Sequence, residues 1–142
     1  MLRFDLVSLL YAEPLSVLHK SCFEKSWDKS SFESLLRLPT TYGWMNENAF
    51  VLFSVCGDEA EILTLGVCPN ARKKGLATRL LLYALEQLQK KGIHFVFLDV
   101  SVENVAAIAL YSKMGFNQVA LRKGYYTEKN CKVDALILKK QI

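Results

Sequence analysis

At 142 residues, with 51% hydrophobic and 23% charged side chains, the chain has an ordinary globular balance and room for one core without disulfide staples, which excludes a disordered segment. Its formal charge of +4 suits an anionic ligand or a ribosomal neighbour but is too mild to name either. No run approaches the roughly 18 to 20 apolar residues of a membrane span, and Asp5, Glu13 and Pro14 interrupt MLRFDLVSLLYAEPLSVLHK, so neither insertion nor export is expected.

From Pro14 the pattern PLSVLHKSCF is helical, with Leu15, Leu18 and Cys22 or Phe23 near one face. A loop, EKSWDK, follows. Ser30 then stands three residues before Glu33, a capping-box spacing that predicts a short helix through SFESLLRL, ended by Pro39. From Tyr42 the period changes to two. AFVLFSVC and EILTLGV, joined by GDEA, predict an antiparallel hairpin, with TYGWM as a possible third strand. A long helix is expected from Gly75 to Lys91, because Ala77, Leu80, Leu81, Ala84, Leu85 and Leu88 mark one face and Gly92 stops it. HFVFLDV, 94–100, is almost continuously apolar and predicts a strand covered on both faces. Asn104 is suited to cap a helix over 106–114, closed by Gly115, and FNQVALR and VDALILKK predict two last strands. No repeat or linker divides residues 1–142, so a single domain is expected. The order predicts an α/β (α+β) layer domain with a mixed, mostly antiparallel sheet of about six or seven strands flanked by helices.

Cys22, Cys56, Cys68 and Cys131 form no C-x-x-C pair, and His19 and His94 are far apart. No metal site is expected, and the thiols fit a reducing cytoplasm.

Arg72, Lys73, Lys74 and Gly75 crowd the point where a strand hands over to a helix. A helix N-terminus presents unpaired N–H groups and the positive end of a dipole, and a residue without Cβ lets an anion approach them. The alternative is a solvated turn. G-x-x-x-x-G-K-[ST] and G-x-G-x-x-G are both absent, which excludes a P-loop and a dinucleotide fingerprint as direct matches.

Arg72-x-x-Gly75-x-Ala77, right after an apolar strand and a V-x-P step, resembles the pyrophosphate-binding loop of the GCN5-related N-acetyltransferases. LDVSVENVAAIALYSKMGF, 98–116, is similar to the second half of the same superfamily, so that about 50 residues match in order. SWDKSSF, N-x-x-A-I-A-L-Y, KGYY and VDALIL further resemble its bacterial ribosomal-protein-alanine branch (RimI type). The resemblance implies an acyl-CoA N-acyltransferase-like fold and direct acetyl transfer from acetyl-CoA, without metal or covalent cysteine, to the N-terminal amine of a ribosomal protein in the cytoplasm. DNA and membranes are not implied, and the oligomeric state stays open, a monomer being compatible. Two alternatives remain: a small amine or lysine side chain as acceptor, or a domain that binds acyl-CoA or a ribosomal surface without catalysis.

Residue by residue, the resemblance puts the pantetheine arm beside Leu65, Gly66 and Val67, with the Val67 N–H as oxyanion donor. Gly66 would tolerate a bulge or splay, or merely end the strand. Arg72 faces the phosphates or solvent, while Lys73, Lys74, Gly75, Leu76, Ala77 and Thr78 cradle the pyrophosphate, chiefly through backbone N–H groups. Asp99 stands where the branch carries a glutamate treated as general base; one methylene shorter, it serves through a bridging water or instead pairs within the sheet edge. Tyr111 matches the tyrosine that protonates the departing thiolate, or is a core aromatic. Asn104 contacts the coenzyme or only caps a helix. Trp27, Tyr125, Tyr126 and Asp134 are candidates for the acceptor groove. Alternation along a strand would send Tyr125 and Tyr126 to opposite faces, so one of them at most should line it.

Overall fold

The computed structural model describes residues 2–142. A short strand β1 (Asp5–Leu6) and a 3-10 turn (Leu9–Tyr11) lead into helices α1 (Ala12–Cys22) and α2 (Lys29–Leu36). Strands β2 (Thr41–Met45), β3 (Ala49–Cys56) and β4 (Glu59–Val67) follow, then α3 (Leu76–Lys90), β5 (Phe95–Ser101), α4 (Val105–Lys113), β6 (Asn117–Glu128) and β7 (Cys131–Gln141). All strands join one seven-stranded sheet in the order β1-β2-β3-β4-β5-β7-β6. Every pairing is antiparallel except β4 with β5, which α3 joins as a crossover; α4 makes a second helical crossover, from β5 past β7 to β6.

The sheet separates two cores. On one face α3 buries Leu80, Leu81, Ala84, Leu85 and Leu88 against Val51, Phe53, Ile62, Val96 and Leu98, with α4 supplying Tyr111 beside them. Each of those leucines removes enough apolar surface from water to contribute about 1.5–3 kcal/mol. On the other face α1 and α2 close Leu15, Leu18 and Phe32 over Met45, Phe50 and Leu52. Residues 49–53 of β3 are all buried because β3 lies under helices on both faces along that stretch, as Trp44 and Met45 of β2 do beside it, one in each core.

Several local expectations change. Helix α2 is capped by Asp28, whose carboxylate accepts the Ser31 N–H at 2.8 Å, so the helix starts ahead of the Ser30 box. That bond holds the Asp28 carboxyl below its usual range. Strand β5 is not covered on both faces: Val96, Leu98 and Val100 are buried, whereas Phe95, Phe97, Asp99 and Ser101 are half-exposed on the side that α1 and α2 do not reach. Its apolar run survives there because the Lys139 ammonium lies 4.4 and 5.3 Å from the Phe95 and Phe97 ring centres. Strand β6 runs on through the KGYY segment to Glu128, where Lys129 and Asn130, at φ 49° and 63°, make a two-residue hairpin turn.

Candidate active site

The parallel ladder between β4 and β5 holds only Glu59–Phe95, Ala60–Val96 and Glu61–Phe97. Beyond it β4 stays with β3 to Val67, and β5 stays with β7 to Ser101, so the two strands part and leave a wedge-shaped gap. The departure begins at Leu63, an extra residue between the Phe53–Ile62 and Leu52–Thr64 pairs. It is a β-bulge, which bends its strand away from its neighbour. The bulge is thus three residues before Gly66, not at the glycine. Gly66 has a different necessity: a Cβ there would stand 2.8 Å from the Phe50 ring and 3.1 Å from Cys22 Sγ.

Ladder geometry assigns the backbone groups that line the gap. The Cys68 N–H donates to the Asn48 carbonyl on the β3 side at 2.8 Å. Successive N–H groups alternate sides, so those of Val67 and Leu65 turn toward the gap. The Val67 carbonyl is occupied, since Arg72 Nε donates to it at 2.8 Å. Arg72 therefore clamps the end of β4 through Nε, while the residue as a whole stays exposed.

At the same end, α3 starts at Gly75 with φ 75° and no side-chain cap. The first intrahelical bond is Arg79 N–H to the Gly75 carbonyl, so the amides of Leu76, Ala77 and Thr78 have no helical acceptor. Nothing lies within 4 Å of where a Gly75 Cβ would sit. Glycine is favoured here by the left-handed backbone, and the space above it is open. Lys73, also left-handed at φ 62°, and Lys74 are exposed beside it. The loop fits a diphosphate by donor chemistry: free amides, positive charge and no acidic side chain from Arg72 to Arg79.

The titratable candidates stand on opposite faces of the sheet. Tyr111, on α4, belongs to the core beneath α3, where its ring meets Phe116 edge-on at 5.5 Å. Burial pushes its phenol up to about 12, so it stays protonated in any physiological medium. Asp99 faces the other way, two residues past the last β4–β5 pair. Only a gap through the sheet puts both within reach of one reacting group. Asn104 is committed in part: its Oδ1 accepts the Ala107 N–H at 3.2 Å as the cap of α4, leaving the amide nitrogen available.

On the Asp99 face an open groove of about 320 Å³ is lined by Ser54, Cys56, Glu59, Glu61, Phe97 and Arg122, among others. Glu59, Glu61 and Arg122 were not among the sequence candidates. The two glutamates alternate with buried Ala60 and Ile62, a period-two signal that marks the open side of a strand. The Tyr126 phenol is raised to about 12 by burial and by the Asp99 carboxylate.

Tyr125 and Tyr126 do not diverge. Their rings meet edge-on with centres 5.0 Å apart. Alternation fails because residues 123–125 stand against the single residue Asp134 between the Arg122–Ala135 and Tyr126–Val133 pairs. This larger bulge turns on Gly124, at φ 60°, and Asp134 Oδ1 accepts the Gly124 N–H at 2.8 Å. Asp134 is thus spent on shaping the hairpin rather than presented beside Asp99. Tyr125 remains half-exposed, under the Arg122 guanidinium 5.2 Å from its ring centre.

Trp27 stands on the same face of the sheet as Asp99, on the α1–α2 side of the β4 bulge. It lies in the α1–α2 connection, stacked on His19 at 4.9 Å and next to Phe32 at 5.6 Å. The Cys68 thiol contacts Asn48 Oδ1 at 3.4 Å, with no base recorded against it. Among the described residues there is no group of three metal-ligating side chains, and no helix is long and apolar enough to cross a membrane.

Residues 12–116 match the family model described as the acetyltransferase (GNAT) family. The [ribosomal protein bS18]-alanine N-acetyltransferase of Escherichia coli (strain K12) is 37% identical over 90 residues, a match that spans 63% of this chain and 61% of that protein. A putative protein of the same description from Bacillus subtilis (strain 168) is 33% identical over 124 residues, 83% of this chain and 81% of its own. The crystal structure of the E. coli ribosomal-protein-S18-alanine N-acetyltransferase superposes with a TM-score of 0.86 at 26% identity, over 99% of this chain and 94% of that one. Arabidopsis thaliana NAA60 in complex with acetyl-CoA superposes at 0.84 with 21% identity, over 99% and 98%, a likeness of fold alone. With three quarters of its length under the family model, and with a sheet opening between its fourth and fifth strands, the chain belongs to the acetyltransferase (GNAT) family.

Proposed function

We propose that this protein is an N-acetyltransferase that moves an acetyl group from acetyl-CoA to the α-amine of an N-terminal alanine on a ribosomal protein, and that it works in the cytoplasm. The observation that carries the reading is the three-pair β4–β5 ladder, which opens a slot through the sheet beside an uncapped helix N-terminus. The names of the E. coli and B. subtilis relatives support the choice of acceptor. Acetyl-CoA supplies the activated acyl group and a thiolate that can leave.

The chain's own groups do the rest. The amides of Leu76, Ala77 and Thr78, with Lys73 and Lys74 around them, hold the diphosphate, and β4 aligns the arm behind it. The Val67 N–H donates to the acyl oxygen as negative charge builds there, and Arg72 keeps that amide in place by bonding the carbonyl of the same residue. Asp99, through one water, takes the proton that the acceptor amine must lose. An α-ammonium titrates near 8 when unperturbed, about one unit above neutrality, so modest help suffices. Tyr111, held neutral by burial, gives its proton to the leaving sulfur from the opposite face. Starting from the ammonium, the nitrogen sheds two protons: the first, through the Asp99 water, frees the lone pair, and the second passes to solvent as the C–N bond forms and the C–S bond breaks. Sulfur gains one proton from Tyr111, which solvent re-protonates, so one proton is released net.

Peptides with a free N-terminal alanine, and the same peptides blocked at the N-terminus, test the proposal directly with labelled acetyl-CoA. Label is expected on the free peptides alone. Label on blocked peptides carrying lysine, and none on the free amine, would overturn the choice of acceptor.

A further inference from the structure

The steps proposed above leave one buried titratable group unused. His19, in α1, is 2% exposed. Its Nδ1 accepts the backbone N–H of Trp27 at 3.1 Å, and its Nε2 lies 3.3 Å from Thr64 Oγ1. An N–H can be accepted only by a lone pair, so Nδ1 is unprotonated and the neutral ring carries its hydrogen on Nε2, donating to Thr64. Trp27 stacks on the ring at 4.9 Å, and Phe23, Phe32 and Phe50 close round it with centres 4.5 to 5.5 Å away. Thr64 directly follows the bulge residue Leu63, and the same Phe50 ring packs against Gly66. One imidazole thus joins α1, the α1–α2 connection and the place where β4 leaves β5.

We propose that His19 is a positioning residue for the acceptor: neutral, it pins the Trp27 corner to the bulged strand, and on protonation it releases that corner. What the corner borders rests on the N-acetyltransferase reading; the tie itself does not. A proton on Nδ1 would set a donor against the Trp27 donor and place a charge inside an aromatic cage. No ion pair of the described residues involves the ring. Of the hydrophobic residues packed on the same cluster, Tyr11, Cys22 and Cys68 are titratable. Burial accordingly pushes the imidazole below its ordinary 6.5.

The chain has two tryptophans, so a Trp44→Phe background leaves Trp27 as the only one. In that background three proteins are compared: His19 intact, His19→Phe, which keeps the aromatic ring and loses both bonds, and His19→Asn, whose amide oxygen replaces Nδ1 as acceptor. With His19 intact, Trp27 emission should titrate with a midpoint below 6.5, and in His19→Phe this transition should vanish. At about pH 8, KM for the free-amine peptide should rise about five-fold or more in His19→Phe, with the acetyl-CoA KM changed less than about two-fold, and His19→Asn should recover most of the loss. Emission that titrates identically in His19→Phe, or an acceptor KM indifferent to all three side chains, would overturn the proposal. If the intact protein acetylates no peptide, the functional reading fails, and the fluorescence comparison alone decides the tie.

Discussion

Replacing Gly66 with alanine adds one methyl group where the sheet has no room for it. The new carbon would stand 2.8 Å from two atoms of the Phe50 ring and 3.1 Å from Cys22 Sγ, and Phe50 is itself fully buried. Contacts under 3.0 Å force the ring to move, and overfilling a packed core of this kind costs about 1–3 kcal/mol. Gly66 is not among the residues with positive φ, so backbone strain adds nothing. The alanine restricts the unfolded chain and recovers about 0.4–1 kcal/mol. The expected net loss is therefore about 1–2 kcal/mol, a fall in Tm of about 3–8 °C for a chain of this size. Urea unfolding of four proteins measures it: wild type, Gly66→Ala, Phe50→Leu and the double variant. In the Phe50→Leu background, with the obstructing ring gone, the Gly66→Ala penalty should shrink to about 0.5 kcal/mol or less. An alanine variant as stable as wild type, or a penalty unchanged when Phe50 is trimmed, would refute the claim that glycine is there for close packing.

Gly75→Asn, with a residue that tolerates the left-handed backbone, should retain coenzyme binding to within about three-fold, whereas isosteric Gly75→Asp should weaken it at least about ten-fold by titration calorimetry. Equal affinities would remove the diphosphate from the start of α3. Tyr111→Phe should lower kcat by about ten-fold or more with coenzyme affinity intact. In the unsubstituted protein, the neutral phenol's contribution is full below about pH 10, its unfolded value, and is lost as pH rises toward about 12. Two units correspond to about 2.7 kcal/mol, so alkaline urea titrations should show the wild type losing stability faster than Tyr111→Phe over that window. Asp134→Ala removes the acceptor of the Gly124 N–H and should raise KM for the peptide more than it lowers Tm, because the distortion stays in the β6–β7 hairpin near Tyr125 and Tyr126. A KM at the wild-type value would show that this bulge does not shape the acceptor side.

What could be read from the residues was whatever depends on short-range pattern. The amphipathic face of α3, the antiparallel pair at 49–67 and the glycine opening α3 all follow from periodicity or from a missing Cβ. What escaped depends on pairing between distant segments. Strand β1 has two residues, too few for any period. The open side of β5 looked apolar because Phe95 and Phe97 are shielded by a lysine more than forty residues later. The tyrosine pair broke the alternation rule because three residues of β6 oppose one of β7. Arg72 was placed by its charge, yet the bond that fixes it goes to a carbonyl five residues earlier. His19 carried no signal at all, since a lone histidine in an apolar helix gains meaning only from the loop and the strand that close on it.

The slender link between β4 and β5 bears on more than catalysis. Strands β1–β4 with α3 form one block and β5–β7 another, joined along the sheet by three residue pairs. A molecule laid in the opening would supply the missing rungs and act as mortar between the blocks. Its binding would then count toward the cohesion of the whole protein, about 2.7 kcal/mol at a hundred times its Kd. On the proposed function, a cell short of acetyl-CoA would hold not only an idle catalyst but a shorter-lived one.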